Sequence, residues 1–404
     1  MKKLLAIGLV LLAAATIFVG CGEGNAEPEE VTITMWTQEG ESDGTFQFIL
    51  DRLDEFMAAN PNITVELVQK DTEALREDFQ TAALAGTTPQ LLWTVSDHAG
   101  PFTAANLIQP VDDFYNADDF VESVVLNGDT WGVPINSGNH LMLLYNKDIV
   151  SEAPATFEEL IEFGQEFTDG ENYALVYNAT EPFWLAPFLG GYGGSVFAAD
   201  GVTPTLDTPE MVNTLQFIAD LKFEYGITPA EADYGTMDTL FKEGKAAFII
   251  NGDWSLSDYA GVLGDSLGVA NMPSVPGGDI PRPFTSGKYF MVPAGVEGAE
   301  ADAVQAIIDF FLTDEVQLQA VAELNRLPSS LSALQDSSIT SDPILSGSAA
   351  QLATGTPMPT VVEMRANWDA MKPEMNAVLA GSKTPEQAAA DMQVAAENAI
   401  EALQ

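Results

Sequence analysis

The chain has 404 residues, of which 46% are hydrophobic, so it is long enough for two lobes with separate cores. Its 60 acidic and 15 basic side chains give a formal net charge of −45. A surface this acidic repels nucleic-acid phosphates and anionic lipid headgroups, which disfavours nucleic-acid binding and adsorption to a membrane surface. The simplest interpretation of the acidity is solubility, as in proteins of a saline habitat.

The N-terminal 30 residues indicate export and a lipid anchor. Two lysines precede an apolar run at 4–19, which is shorter than the roughly 20 residues of a spanning helix, so 1–20 is expected to be a signal peptide. The residues Phe18-Val19-Gly20-Cys21 resemble a bacterial lipobox, although phenylalanine replaces the usual leucine. Cys21, the only cysteine, is the expected lipidation site, and 21–30 is the expected tether. The alternative is an ordinary cleaved signal that leaves a lone thiol.

Beyond the tether, hydrophobic periodicity predicts alternating strands and helices. In chain order these are a strand at 31–36, a helix at 46–57, a strand at 63–68, a helix at 72–85, strands at 89–95 and 140–145, a helix at 156–167, a strand at 173–178, a helix at 209–225, strands at 246–251 and 284–293, and helices at 299–312, 313–325, 360–380 and 384–402. The first five alternate β-α-β-α-β, which indicates a parallel sheet covered by helices. The pattern as a whole predicts two α/β lobes followed by a helical C-terminal region.

Catalytic, nucleotide and metal motifs are not recognisable in the sequence. The glycine-rich stretch 190–195 lacks dinucleotide-binding spacing, and no G-x-S-x-G nucleophile motif occurs. His98 and His140, the only histidines, lie far apart without zinc-ligand spacing, so no metal and no cofactor are expected. A glycosidase needs only two carboxylates about 5–10 Å apart, which 60 acids allow, so a secreted carbohydrate-active enzyme stays open as an alternative.

Aromatic and acidic residues occur together near the ends of predicted elements. Sugars present C–H faces that suit flat aromatic rings, and hydroxyls that suit carboxylates and amides, so this pairing predicts a sugar cleft. Trp36 and Trp131 are interpreted as packing residues, and a core position is an alternative for any single tryptophan. Aromatic residues occur together with acids or amides at four places in the sequence: Trp93 with Asp97, the segment 181–184, the segment 251–254, and Trp368.

Eleven short segments follow one another in order: VTITMW, DHAGPF, NGDTWGVPI, LLYNKD, TFEEL, NATEPFW, FKEGKAAFIINGDW, FTSGKYFMVPAG, LTDE, TPMP and NWDAM. Together they resemble the maltose/maltodextrin-binding branch of the bacterial extracellular solute-binding proteins, over nearly the whole mature length. No single segment is decisive, and their order makes the resemblance specific.

The resemblance implies a two-lobed periplasmic-binding-protein fold of type II, with a ligand cleft that closes at a hinge. The N-terminal lobe would comprise 31–136 plus 284–327, and the C-terminal lobe 140–282 plus 330–404. The hinge would lie near 135–139 and 282–286. Ligand would stabilise the closed form through contacts to both lobes.

The function implied is that of a non-catalytic carrier of an ABC sugar importer. It would bind maltose or maltodextrin-type oligosaccharides as a monomer and deliver them to permease subunits in the membrane, to which the lipid anchor would hold it. The alternatives are a binding protein for another di- or oligosaccharide, a secreted carbohydrate-active enzyme, or a chemosensory adaptor.

Five ligand contacts follow by position from the resemblance. Asp97 and Glu181 match hydroxyl-binding carboxylates of the first and second lobe. Trp254 and Trp368 match aromatic platforms, and Phe183 stands where the family has a stacking tyrosine.

Further contacts follow from the same resemblance. Met358 matches a methionine that lines the cleft. Glu41 and Asp43 lie in the acidic loop after the first strand, from which the usual lysine is missing. Trp93 is a candidate contact, although a shift of one residue in the alignment would bring Thr94 to the sugar instead.

Four positions depart from the pattern of the family. His98 replaces an arginine, Asn139 a glutamate, Asp369 an aromatic residue and Lys372 an arginine. His98, Asn139 and Lys372 are kept as candidate contacts. Each departure changes the hydroxyl-pairing pattern, so the sugar is expected to differ in length, linkage or epimer from that of the prototype.

Overall fold

The computed structural model describes residues 30–40, 44–121 and 123–403. The expected signal peptide and lipidation site, at 1–20 and Cys21, lie outside the described residues, as do Glu41 and Asp43. Besides a short two-stranded sheet at 125–130, the described residues form one large sheet and one smaller sheet, each with its own helices. We refer to these two parts as the first lobe and the second lobe.

The elements that precede the first passage between the sheets are β1 (Val31–Thr37), α1 (Thr45–Ala59), β2 (Ile63–Gln69), α2 (Thr72–Ala85), β3 (Leu91–Val95), α3 (Ala99–Ala104), β4 (Ile108–Gln109), β5 (Val125–Leu126), β6 (Asp129–Thr130) and β7 (Val133–Gly138). Those of the second sheet and its covering helices are β8 (Leu141–Asn146), α4 (Phe157–Phe167), β9 (Tyr173–Tyr177), α5 (Ala186–Gly191), α6 (Pro209–Phe223), α7 (Tyr234–Lys242), β10 (Ala246–Gly252), α8 (Leu256–Leu263) and β11 (Leu267–Ala270). The remainder are β12 (Phe284–Pro293), α9 (Ala299–Phe311), α10 (Asp314–Leu324), β13 (Leu327–Pro328), α11 (Ser337–Thr340), α12 (Pro343–Leu352), β14 (Thr356–Pro357), α13 (Glu363–Leu379) and α14 (Pro385–Glu401).

The first lobe is built on a sheet of order β13-β7-β12-β3-β1-β2, with β4 and β14 paired to β12. β1 runs parallel to β2 and β3, which confirms the arrangement predicted from the β-α-β-α-β pattern. β12 runs antiparallel to β3 and β7, so the complete sheet is mixed rather than parallel. Apolar side chains of β1, β3 and β12 form the core with α1 and α9.

The second lobe is built on a four-stranded sheet of order β11-β8-β10-β9. Every residue of β10 is buried, because the sheet carries helices on both faces. Residues of α13 and α14 belong to the same core cluster as β8 and β10, so the C-terminal helices complete this lobe. Among the described residues, every helix is too short or too polar to span a bilayer.

Local signals set the ends of several helices where the sequence predicts them. α2 ends at Gly86, whose φ of 67° is the left-handed conformation that favours glycine. The side-chain oxygen of Thr156 accepts a hydrogen bond from the Glu159 N–H and so caps α4. Thr384 and Gln387 form a reciprocal capping box at the start of α14.

The chain passes from the first sheet to the second between β7 and β8, and returns between β11 and β12. At the first passage Gly138 and Asn139 both have positive φ, at 136° and 47°. A Cβ on Gly138 would lie 2.4 Å from Oδ2 of Asp253, so glycine is required at this passage. Because β7 and β12 are paired in the first sheet, the two passages lie side by side.

Candidate ligand-binding site

Three aromatic side chains of the second lobe, Phe183, Trp254 and Trp368, lie together and are called the aromatic patch. The ring centroids of Phe183 and Trp254 are 6.1 Å apart, and those of Phe183 and Trp368 are 6.4 Å apart. All three rings are half-buried against the core of the lobe. They therefore present apolar faces of the kind that cover the C–H surface of a pyranose ring.

Trp254 is positioned by the turn that follows β10. Its indole N–H donates a hydrogen bond to the hydroxyl of Tyr234, at 3.1 Å. Its six-membered ring lies directly over Gly252, where a Cβ would be 2.2 Å from the nearest ring carbon. The absence of a side chain at Gly252 thus allows the indole to lie flat over the end of the strand.

Asp97 approaches the aromatic patch from the first lobe. It lies in the 3₁₀ turn Ser96–His98 directly after β3, and its carboxylate accepts a hydrogen bond from the side chain of Trp368. Burial between the lobes raises the pKa of Asp97 to about 6, and the negative charge of Glu73 acts in the same direction. An aromatic face and a carboxylate therefore meet across the boundary between the lobes.

A buried ion cluster lies beneath this boundary in the first lobe. Oε2 of Glu39 is 3.2 Å from Nη1 of Arg326, and Oε1 is 3.7 Å from Nζ of Lys288. The indole N–H of Trp93 donates to Oε1 of Glu39 at 3.3 Å. Burial alone would raise the pKa of Glu39, but the charges of Lys288 and Arg326, with the hydrogen bonds from Arg326 and Trp93, outweigh it and lower the pKa. Glu39 is therefore held ionised.

Asn139 connects the ion cluster to the passage between the sheets. Its side-chain oxygen accepts a hydrogen bond from Nζ of Lys288 at 3.1 Å, and its Nδ2 donates to Oγ of Ser286 at 3.2 Å. The ammonium of Lys288 lies 5.9 Å from the ring centroid of Trp254, within the range of a cation–π contact. Asn139 and Lys288 thus bring first-lobe polar groups up to the aromatic patch.

Glu181 and Lys372 form an ion pair on the second lobe, and their side chains are 40% and 50% exposed. Glu181 directly precedes the 3₁₀ turn that carries Phe183, and Lys372 lies one turn after Trp368 in α13. Both charged groups therefore flank the aromatic patch and remain accessible to a ligand. Met358 follows β14, and its backbone N–H donates to the carbonyl of Thr285 at 2.9 Å, so it lies at the boundary between the lobes.

Two of the predicted contacts, Trp93 and His98, have side chains that are buried inside the first lobe. Trp93 is 3% exposed and packs edge-on against Phe290 and Phe311, at centroid distances of 5.3 and 5.5 Å. His98 is 2% exposed, and its Nδ1 lies 2.7 Å from the hydroxyl of Thr94. Burial lowers the pKa of His98 to about 3, so the ring is neutral.

The physical reason is the position of β3 at the centre of the sheet. β1 and β12 pair with its two edges, and apolar clusters cover its two faces, with Leu91 and Trp93 in one cluster and Leu92 in another, so all five of its residues are buried. Thr94, the alternative candidate at this place, is fully buried too and is hydrogen-bonded to His98 and Gln38. Trp36 and Trp131 pack at the edge of the apolar cluster around Phe79, which confirms their interpretation as packing residues.

Sequence reasoning missed the ion cluster and a second contact between the lobes. Nη1 of Arg365 in α13 lies 2.5 Å from Oε2 of Glu73 in α2. Lys288 was detectable, because it is a lysine within the otherwise apolar strand FTSGKYFMVP. Arg326 follows α10 without any local signal. Over the described ranges, no group of three His, Cys, Asp or Glu side chains could hold a metal ion.

The chain belongs to the bacterial extracellular solute-binding proteins, because the sequence model of that family matches residues 51–347. This confirms the resemblance seen in the eleven segments and, with the structural likeness below, the two-lobed fold class.

Solved and curated relatives agree with this assignment. The maltose/maltodextrin-binding domain MalE from Bdellovibrio bacteriovorus, solved with bound maltotriose, is 37% identical with a TM-score of 0.87, over 92% of this chain and 100% of that one. The maltotriose-binding protein of Pyrococcus abyssi is 28% identical over 90% of this chain and 79% of its own length. The maltooligosaccharide ABC transporter solute-binding lipoprotein of Streptococcus pneumoniae is 25% identical over 97% of this chain and 95% of its own length.

Proposed function

We propose that the chain is the extracytoplasmic substrate-binding protein of an ABC sugar importer. It binds maltose or maltodextrin-type oligosaccharides between its lobes and delivers them to permease subunits. The Bdellovibrio domain was solved with maltotriose, and the Pyrococcus and Streptococcus proteins are described as binding maltotriose and maltooligosaccharides, which supports this sugar class.

The aromatic patch opposite Asp97 is the observation that carries the proposal. The rings of Phe183, Trp254 and Trp368 offer stacking faces, while Asp97 and the pair of Glu181 with Lys372 offer partners for hydroxyl groups. In this arrangement a sugar replaces the Asp97–Trp368 hydrogen bond with bonds of its own to both lobes. The ligand therefore stabilises the closed form through groups that only closure brings together.

Other parts of the proposal concern the boundary region. Asn139 positions Lys288 towards the sugar, and Met358 lines the cleft at the boundary. Glu41 and Asp43 would add carboxylates from the loop after β1. The lobes are divided at 31–136 plus 284–327 and 140–282 plus 330–404, with the hinge at 135–139 and 282–286. A passage there contains Gly138 and Asn139 with positive φ, and β14 of the second lobe pairs with the hinge end of β12.

We also propose that the protein is not an enzyme and acts as a monomer. The family is one of solute-binding proteins, and the Glu181 carboxylate is paired with Lys372. Incubation with maltotriose followed by chromatography tests the first point, and released glucose or maltose would contradict it. Sedimentation of the mature chain tests the second.

The membrane attachment is proposed to be a lipid on Cys21. The lipobox-like sequence before Cys21 and the Streptococcus relative described as a lipoprotein support it. In a bacterial host, Cys21→Ala should move the protein from the detergent phase to the aqueous phase. Unchanged partitioning of the variant would contradict the anchor and leave the sugar-binding proposal intact.

Titration calorimetry against a panel of sugars tests the central proposal. Maltose, maltotriose and longer maltodextrins should bind, whereas trehalose, sucrose and cellobiose should bind more weakly or not at all. The affinity should be insensitive to EDTA and nearly independent of salt, because a neutral sugar releases no counterions. Tight binding of cellobiose or sucrose with no binding of maltotriose would favour a carrier of another oligosaccharide.

A further inference from the structure

A cavity of about 340 Å³ opens on the flank of the second lobe and shares no residue with the aromatic patch; we call it the flank pocket. It lies between the end of β9, the segment 228–236, and the C-terminal ends of α6 and α13. The N–H of Ala179 donates to the carbonyl of Ala232 at 3.0 Å, which holds that segment against the end of β9. The volume is within the range of about 300–1,000 Å³ typical of small-molecule sites.

Three polar side chains of the flank pocket have no partner in the protein. Tyr177 is 5% exposed and Thr228 is 9% exposed, and both line the pocket with Asn376 of α13. Within the described part of the chain, neither hydroxyl nor the Asn376 amide makes a hydrogen bond. Burial raises the pKa of Tyr177, so its hydroxyl remains protonated and able to donate. Asn376 is half-buried, and all three side chains line the open pocket, so their polar groups are accessible to a polar occupant.

The charges around the flank pocket indicate a neutral ligand. Nζ of Lys222 donates to the carbonyl of Leu379 at 2.6 Å, so its ammonium is engaged with the end of α13. Glu231 and Asp233 also line the pocket, and their carboxylates disfavour an anion. Hydroxyl and amide groups above apolar surface from Ala179 and Pro229 suit a hydroxyl-rich, uncharged molecule.

The flank pocket is aligned with the aromatic patch along one helix. Trp368, Lys372 and Asn376 are spaced four residues apart in α13, so they lie on one face of that helix and extend over about 12 Å. Thr180, which lines the flank pocket, directly precedes Glu181, the partner of Lys372. The ion pair of Glu181 with Lys372 therefore lies between the aromatic patch and the flank pocket.

We propose that the flank pocket is a second sugar-binding site, formed by the second lobe alone, that takes a neutral glucose-type unit. The inference rests on the proposed function, since it assigns the same ligand class to this pocket. The unit is either the outer end of a long oligosaccharide held at the aromatic patch or a separate short sugar. In both cases the side chains of Tyr177, Thr228 and Asn376 supply hydrogen bonds to the hydroxyl groups of the sugar.

Two variants test the flank pocket without altering the aromatic patch. Ala230→Trp places a large ring at an exposed position in the mouth of the pocket, and Tyr177→Phe removes one hydroxyl without changing shape. Ala395→Trp, at an exposed position of α14, and Tyr225→Phe are matched controls that do not line the pocket. Each protein is titrated with maltotriose and with maltoheptaose.

If the outer end of the oligosaccharide occupies the flank pocket, the wild-type protein binds one molecule of maltoheptaose, and binds it more tightly than one molecule of maltotriose. Ala230→Trp then abolishes the difference, and Tyr177→Phe lowers the maltoheptaose affinity about two- to tenfold. If a separate sugar occupies it, maltotriose shows a second, weaker site that Ala230→Trp removes. Both controls behave as wild type.

Two outcomes contradict the inference and can be told apart. If both pocket variants, folded as judged by circular dichroism, bind both sugars with wild-type affinity and stoichiometry, the flank pocket is not a sugar site and the proposed function stands. If wild-type protein binds neither sugar, the proposed function fails and the inference fails with it.

Discussion

The side chain of Trp368 in the second lobe donates a hydrogen bond to the carboxylate of Asp97 in the first lobe. This bond joins an aromatic platform directly to the carboxylate that approaches it. In the sugar-free protein the two groups satisfy each other, so ligand entry requires them to separate. Closure is connected to the protonation state of Asp97 mainly through burial, which raises the pKa of its carboxyl, whereas the bond from Trp368 acts to lower it.

The first prediction is that low pH favours closure of the sugar-free protein. Between the lobes the pKa of Asp97 is raised from 3.8 to about 6, mainly by burial, whereas in an open cleft it returns towards 3.8. In that window the closed form holds a proton that the open form has lost, so lowering the pH from 7 to 5 stabilises the closed form. Small-angle scattering should show a smaller radius of gyration at pH 5.

Asp97→Asn is the control for this prediction, because its amide does not titrate. The pKa of His98 is lowered to about 3 by burial, and that of Glu39 is lowered by its cationic neighbours, so neither group changes charge between pH 5 and 7. If the radius of gyration of Asp97→Asn falls as much between pH 7 and pH 5 as that of the wild-type protein, the pH dependence comes from other groups.

The second prediction concerns the ion pair of Glu73 with Arg365, which also joins the lobes. The two side chains are 61% and 31% exposed, so the pair contributes only about 0.2–1 kcal/mol to closure. Glu73→Gln and Arg365→Gln should each weaken maltotriose binding by about two- to fivefold, and the double variant should be no weaker than the poorer single one. Glu77→Gln, which removes a neighbouring charge paired with Arg76 inside α2, is the control. Additive losses in the double variant would show that the pair does not act as a unit.

Much of the fold follows from the sequence because its strong elements have unambiguous periodicity. The predicted bounds of α2 and β12 match those observed. β7 was missed, because its sequence VPINSG contains proline, asparagine and glycine, which disfavour strands, yet it pairs with both β12 and β13. Tertiary pairing overrides local preference there, and no pattern within six residues could have revealed it.

The candidate site was predictable only in part. Three parts of the site can be recognised separately in the sequence as candidates for a sugar cleft: the segments 181–184 and 251–254 and Trp368. The structure brings their aromatic rings together. The sequence could not show which face of β3 carries Trp93. Because β3 is buried on both faces, its residues do not alternate between apolar and polar. Nor could sequence pair Glu39 with Arg326, 287 residues later, because nothing local distinguishes either residue as half of a buried ion pair.

The third prediction is that the Glu39 cluster stabilises the first lobe. Glu39 and Arg326 are 3% and 2% exposed, so Glu39→Gln leaves the buried charges of Arg326 and Lys288 without their carboxylate. Removal of one member of a buried ion pair typically costs about 3–5 kcal/mol, and urea unfolding should show a loss of this size. Glu323→Gln removes an exposed carboxylate that pairs with Arg52, and it should cost less than about 1 kcal/mol. Equal effects of the two substitutions would contradict the assignment.

The fourth prediction contrasts two tryptophans. Trp254 is half-buried in the aromatic patch, so Trp254→Ala should weaken sugar binding about 10- to 100-fold with a small loss of stability. Trp93 is a core residue, so Trp93→Ala should cost about 3–5 kcal/mol in the free energy of unfolding and leave the affinity of the folded fraction unchanged. Calorimetry and thermal unfolding of both variants measure the two quantities. A large stability loss with unchanged affinity in Trp254→Ala would make Trp254 a packing residue.

The fifth prediction concerns Gly252, on which the position of Trp254 depends. Gly252 has φ −97° and ψ 170°, an extended conformation that alanine adopts readily, so the backbone tolerates Gly252→Ala. The new Cβ would lie 2.2 Å from the Trp254 ring, so the indole must move. Gly252→Ala should therefore weaken maltotriose binding by about tenfold while the protein stays folded. Gly261→Ala in α8, where a Cβ meets nothing within 4 Å, should leave the affinity unchanged.

A double variant shows whether this effect acts through the indole. Once Trp254→Ala has removed the ring, a Cβ at position 252 has no indole to displace, so adding Gly252→Ala should cost no further affinity. The two losses are then strongly non-additive, as expected for residues in direct contact. If instead the double variant binds maltotriose about tenfold more weakly than Trp254→Ala alone, Gly252 acts on the ligand or on the strand itself. That result would show that the lack of a side chain at Gly252 does not act by making room for the Trp254 indole over the end of β10.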